Sequence, residues 1–212
     1  MSTPEGELRS AWHQVVGAHP TAPLDHLLEG LLARHREPHR RYHTATHVMW
    51  VLRHVDQLSA EGVVPDADLA AVRLAALCHD AVYDPRRSDN EAVSATLAAN
   101  LAEDIGWSPA RAATVHRLVL CTAAHRPNAD DEALLIDADL AILGAMPKDY
   151  SAYVHGVRTE YAHVTDADWR IGRAAVLRQF LDEPTVFHTE PMRRARESRA
   201  RANLVAELAA LG

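Results

Sequence analysis

The stretch Leu74-Ala75-Ala76-Leu77-Cys78-His79-Asp80 decides how this chain is read. Five apolar residues in succession mark the buried end of a helix, and the two residues that close it are an imidazole and a carboxylate. Packing gives no reason for that pair. A buried ionised carboxylate is costly unless positive charge neutralises it, and a divalent metal ion is the usual source. Two other segments carry matching chemistry. Upstream, Tyr42-His43-Thr44-Ala45-Thr46-His47 offers two more histidines; downstream, Leu134-Leu135-Ile136-Asp137-Ala138-Asp139-Leu140 sets two carboxylates inside an apolar run. In order, the three segments read as H…HD…D.

The surrounding pattern is helical nearly throughout. Ala and Leu abound, strand-like alternation is absent, and Pro and Gly fall between the periodic segments. The spacing predicts helices over 5–17, 23–36, 44–60, 66–80, 88–105, 108–124, 147–164, 166–182 and 191–211. Breakers at Pro20, Pro23, Pro38, Gly62, Pro65, Pro85, Gly106, Pro127, Pro147 and Pro184 divide them. Ser88-Asp89-Asn90-Glu91 has the spacing of a capping box, and Pro109 fits the first turn of the sixth helix. In 44–60 the buried stripe Val48, Val51, Leu52, Val55 and Leu58 continues into His47, with His43 one turn earlier. In 66–80 the stripe Leu69, Val72, Ala76 ends on His79. Both histidine-bearing helices are therefore expected to aim imidazoles inward, in an all-α fold.

Composition narrows the partners. The chain has 212 residues, 48% of them hydrophobic, enough for one globular domain over 1–212. A net charge of -7 argues against coating a nucleic-acid polymer, while leaving room for a local basic pocket. Cys78 and Cys121 lie in apolar stretches and read as core thiols of a reducing compartment, which is expected to be the cytoplasm. No signal peptide is evident at the start of the sequence, and charges interrupt every apolar run, so no membrane partner is expected. Of the 14 histidines, His19, His35 and His39 sit in polar surroundings and are expected at the surface. Phe and Tyr are sparse, and no aromatic platform is evident.

A lone buried histidine is usually bonded to a carbonyl, and a lone Asp near a loop is usually a helix cap. The joint pattern is harder to explain that way. A mixed nitrogen and oxygen shell suits Mn, Mg, Co, Ni, Zn or Fe.

The ordered set His47, His79-Asp80 and Asp139 resembles the HD-domain superfamily of metal-dependent phosphohydrolases, in particular its small bacterial hydrolases. Further blocks carry the likeness: Ala81-Val82-Tyr83-Asp84, Asp89-Asn90-Glu91, Leu140-Ala141-Ile142-Leu143-Gly144, Arg158-Thr159-Glu160-Tyr161 and Ala202-Asn203-Leu204. It spans residues 40 to 211. The resemblance implies a helical bundle with a metal-binding core at about 40–165 and C-terminal helices at 166–211 packed on it. It implies His47, His79, Asp80 and Asp139 as metal ligands. Asp139 stands in the family's Ala-Asp-Leu context, which leaves Asp137 as a supporting or capping group.

The activity implied is hydrolysis of a small phosphorylated metabolite, such as a nucleotide, by metal-activated water. Asp80 would bind the metal and orient the nucleophile. Asp84, four residues on, is the candidate general base or acid, although a turn before Pro85 explains it equally well. Glu91 is accounted for by the capping box. His43, His116 and His125 are candidates for supporting bonds or a second metal. Arg126, Lys148 and Arg158 are candidate phosphate-binding cations. The basic last helix, with Arg193, Arg194, Arg196, Arg199 and Arg201, reads as a solvated face or as the contact of a homodimer. Two other functions stay open: a di-iron oxygenase using the extra histidines, and a non-catalytic module that binds a metal or a nucleotide.

Overall fold

The computed structural model describes residues 3–17, 21–64 and 68–212. Among them are ten α-helices and no strand, so the all-α expectation holds. They are α1 (Pro4–Val16), α2 (Ala22–His35), α3 (Ala45–Ala60), α4 (Leu69–Cys78) and α5 (Asn90–Asp104). The chain continues with α6 (Pro109–Leu120), α7 (Asp130–Asp139), α8 (Pro147–Glu160), α9 (Asp166–Asp182) and α10 (Glu190–Leu211). The expected positions of His19, Pro20, Pro65 and residues 66–67 lie outside the described residues.

The innermost element is α4. Leu74, Ala75, Ala76, Leu77 and Cys78 have no exposed surface, so the small side chains let neighbouring helices approach closely. Asp68 caps its start by accepting from the Ala71 N–H. Around α4 lie α1, α3, α5 and α6, and one continuous apolar core runs from Leu8 and Trp12 of α1 to Ala200 and Leu204 of α10. No helix among the described residues is long and apolar enough to cross a membrane.

Three local expectations are corrected. The run 134–143 had no assigned periodicity, yet it forms α7 followed by a 3₁₀ turn over Leu140–Gly144. Leu134, Leu135, Ile136, Asp137 and Ala138 are all buried, so the helix is enclosed on every side and has no amphipathic stripe to read. The capping box does not form: α5 starts at Asn90, and the Asp89 side chain pairs with Arg87 instead. The expected helix 108–124 ends at Leu120 and tightens into a 3₁₀ turn over Cys121–Ala123. Beyond it His125 adopts φ 51, the one positive φ at a non-glycine residue among those described.

The basic face of α10 is also turned largely onto its own chain. Arg196 reaches the Ala141 carbonyl and the His54 ring, and Arg201 binds Glu197 and the carbonyls of Leu181, Glu183 and Pro184. α10 crosses the 140–144 turn so closely that a Cβ on Gly144 would lie 2.6 Å from the Arg196 Cβ.

Candidate metal centre

Three separate segments converge where α3, α4 and α7 meet. His47 sits in the first turn of α3, pulled inward by the stripe that buries Val48, Val51 and Val55. His79 is the residue at which α4 stops, still helical in φ and ψ, so its side chain follows the buried face of that helix. Asp80 comes next, in the turn. Asp139 ends α7. Only 5% of His47 and 2% of His79 is exposed.

Their polar atoms face one another. His47 Nε2 lies 3.0 Å from His79 Nε2, 3.3 Å from Asp80 Oδ2 and 3.2 Å from Asp139 Oδ1. His79 Nε2 lies 3.1 Å from Asp80 Oδ2 and 3.6 Å from Asp139 Oδ1. Ligand bonds of about 2.1 Å put neighbouring donors about 3.0 Å apart in an octahedron and about 3.4 Å apart in a tetrahedron. The edges among His47, His79 and Asp80 and the His47–Asp139 edge fall in that range, and the His79–Asp139 edge is slightly longer. The His47–His79–Asp80 cluster can therefore hold a metal ion.

Local structure prepares these donors. His79 Nδ1 donates to the Ala76 carbonyl at 2.9 Å, which directs the Nε2 lone pair toward the cluster in the neutral ring. Burial by itself would raise the carboxylates and lower the imidazoles. The opposite charges overcome it: His79 and His43 hold Asp80 well below the usual carboxylate range, and His125, His47 and His79 do the same for Asp139. Reciprocally, Asp80 and Asp139 push His79 well above its ordinary value and raise His47. The site thus favours positive charge at one point, which protons or a cation can supply.

Two residues that carried no expectation hold the segments in place. Arg40 has a fully buried side chain and donates to the carbonyls of His43 (3.0 Å), Asp80 (2.7 Å) and Ala81 (3.2 Å), stapling the chain before α3 to the His79-Asp80 turn. Glu160, at the end of α8, accepts from the backbone N–H groups of Arg41, Tyr42 and His43 at 2.6, 2.8 and 3.1 Å. Its other oxygen binds His43 Nδ1 at 2.7 Å and the Tyr83 hydroxyl at 2.9 Å. Burial would raise this carboxyl, but the bonds from His43 and the backbone bring it down to about 2. Arg40 also pairs with Glu37, three residues earlier, through Nε at 3.0 Å, but its bonds to the site run to carbonyls, which leave no mark in the sequence; Glu160 stands in a quoted block in which Arg158 had drawn the attention.

Beside the cluster opens a cleft of about 510 Å³, which His79, Asp80 and Asp139 help to line. His43 and His125 line it too, with His125 Nε2 3.6 Å from Asp139 Oδ2. Glu91, relieved of a capping duty, also faces this cleft.

Other expected site residues lie elsewhere. Asp137 is fully buried and turned away from the cluster: it accepts from the His188 and Thr189 N–H groups and the Thr189 hydroxyl, fixing the start of α10. The carboxylate of Asp84 accepts from the Arg86 N–H, and its backbone is tied to the Asn90 amide. That is the turn role, and Asp84 lines a separate pocket with Arg34, Arg86 and Arg87. Arg158 is occupied by Asp166 and the carbonyls of Tyr161 and Val164, Arg126 by Glu183, and Lys148 is exposed in the first turn of α8. None of the three lines the cleft, and neither does His116. His35, expected at the surface, is buried with Nε2 3.3 Å from the Leu77 carbonyl.

Comparison with protein-family models, with curated proteins and with solved structures finds no match to this chain.

Proposed function

We propose that this chain is a metal-dependent phosphohydrolase that cleaves the phosphoester of a small phosphorylated metabolite with water. One observation carries the reading: two imidazole nitrogens and two carboxylate oxygens, from three segments, meet at coordination distances beside an accessible cleft. His47, His79, Asp80 and Asp139 would hold the ion, and their two carboxylates suit a divalent cation of the Mn, Mg, Co, Ni, Zn or Fe type. Such an ion, when bound, lowers the pKa of a coordinated water and withdraws charge from phosphorus.

The remaining work falls to the protein. The Ala76 carbonyl fixes the tautomer of His79, and Arg40 holds the turn that aims Asp80. Proton transfer needs a group near the ligands but outside them. His43 fits this role better than Asp84, because it lines the cleft while Glu160 orients its ring through Nδ1.

The test is the metal content of protein purified without chelators, followed by a phosphomonoester screen in that metal. About one divalent ion per chain and turnover are expected. His79→Ala or Asp80→Ala should lose both metal and turnover, and full activity in either removes the site. His43→Gln should keep the metal and lose turnover, whereas Asp84→Asn should keep both. Two irons per chain with oxygen uptake would replace hydrolysis by oxygen chemistry.

A further inference from the structure

The cleft that opens beside the metal-binding cluster is poor in positive charge and rich in rings. Its single guanidinium among the described residues, Arg173, is 9% exposed and already committed. Arg173 Nε donates to Glu207 at 2.7 Å, and its Nη2 donates to Glu207 and to the Tyr153 hydroxyl at 3.0 and 3.1 Å. No lysine lines the cleft among the described residues. Four carboxylates do: Asp80 and Asp139 at the cluster, with Glu91 and Asp168 further out. A divalent ion would offset the first pair only. The outer part keeps a negative field that disfavours any ligand anion placed away from the cluster.

The walls of the same space are aromatic. Tyr42 and Tyr153 meet edge to face at 4.7 Å near the cluster. Tyr161 and Trp169 form a tilted pair at 5.6 Å, and Phe180 stands 5.7 Å from the His125 ring. These residues come from the segment before α3, from α8 and its end, and from α9. Tyr83, from the turn after α4, lines this space as well, so a sequence poor in Phe and Tyr gathers six aromatic side chains on one cleft among the described residues. Such walls suit a flat, apolar body, which gains from ring contact as well as from burial.

We propose that the substrate is a phosphomonoester whose alcohol portion is a planar apolar ring bearing no further anionic group, its body lying along the α9 wall that Trp169 and Phe180 help to form. This rests on the phosphohydrolase reading for the phosphate; the walls of the cleft define the rest. Trp169 and Phe180 recognise the body, and Glu91 and Asp168 reject a second charge.

Calorimetric titration of the full chain with added Mn²⁺ tests this, using phosphonates that cannot be hydrolysed. The three probes are benzylphosphonate, ethylphosphonate and benzylphosphonate with a second phosphonate at the para position of the ring. Benzylphosphonate should bind about tenfold more tightly than ethylphosphonate. The para-substituted compound should bind severalfold more weakly than benzylphosphonate. Trp169→Ala should abolish the preference for the ring while leaving ethylphosphonate binding unchanged, and Trp169→Phe should restore most of it. Glu91→Gln should narrow the penalty on the second charge. Equal binding of the ethyl and benzyl compounds, tighter binding of the doubly charged one, or no binding at all overturns the inference. Selective binding without turnover of the corresponding phosphates counts against the hydrolase reading alone.

Discussion

Replacing Glu160 with Gln tests the architecture of the site without touching a proposed ligand. The substitution keeps the size of the side chain and one acceptor oxygen for the three N–H groups of Arg41, Tyr42 and His43, but removes the charge and turns an NH₂ toward His43 and Tyr83. The magnitude follows from the ionisation of the carboxyl, which moves from the usual 4.5 to about 2. At about 1.4 kcal/mol per pH unit the charged form contributes about 3 kcal/mol to folding. The side chain has no exposed surface, so solvent screening removes little of this. Because the folded value is depressed, the contribution is complete above pH 4.5 and is lost as pH falls toward 2. Urea unfolding of chelator-treated protein should therefore show Glu160→Gln about 3 kcal/mol less stable at pH 7, with the gap shrinking as pH falls below 4.5. A gap under about 1 kcal/mol at pH 7, or one that does not change with pH, would refute the reasoning.

Two other outcomes are expected from the supporting residues. Asp137→Asn should cost about 1–3 kcal/mol through the start of α10 and leave metal uptake intact, whereas Asp139→Asn should abolish uptake and also lower metal-free stability, because His125, His47 and His79 favour its charged form; equilibrium dialysis against the metal separates them, and uptake lost in Asp137→Asn but kept in Asp139→Asn would exchange their roles. Arg40→Met should destabilise by roughly 3–5 kcal/mol, because three carbonyls lose their donor; a loss under about 1 kcal/mol in chemical unfolding would show that the staple is dispensable.

The sequence by itself determined the helical class and most helix positions, because each amphipathic stripe is a local record of one buried face. It also singled out the three segments that carry His43 and His47, His79-Asp80, and Asp137 and Asp139, since polar residues at the buried end of an apolar run need a partner that packing cannot supply; the set His47, His79, Asp80 and Asp139 was what the family resemblance implied. α7 escaped this reading because burial on all sides erases periodicity. Which of two carboxylates two positions apart faces the imidazoles is decided in space: Asp139 does, and Asp137 turns to residues 188 and 189. The same holds for what surrounds the site. Arg40 pairs locally with Glu37, but it reaches the site through carbonyls, which have no sequence signature. Glu160 acts on residues more than a hundred positions away, and the aromatic walls come from segments equally far apart. Local patterns record what each segment buries; tertiary structure alone decides which buried groups meet.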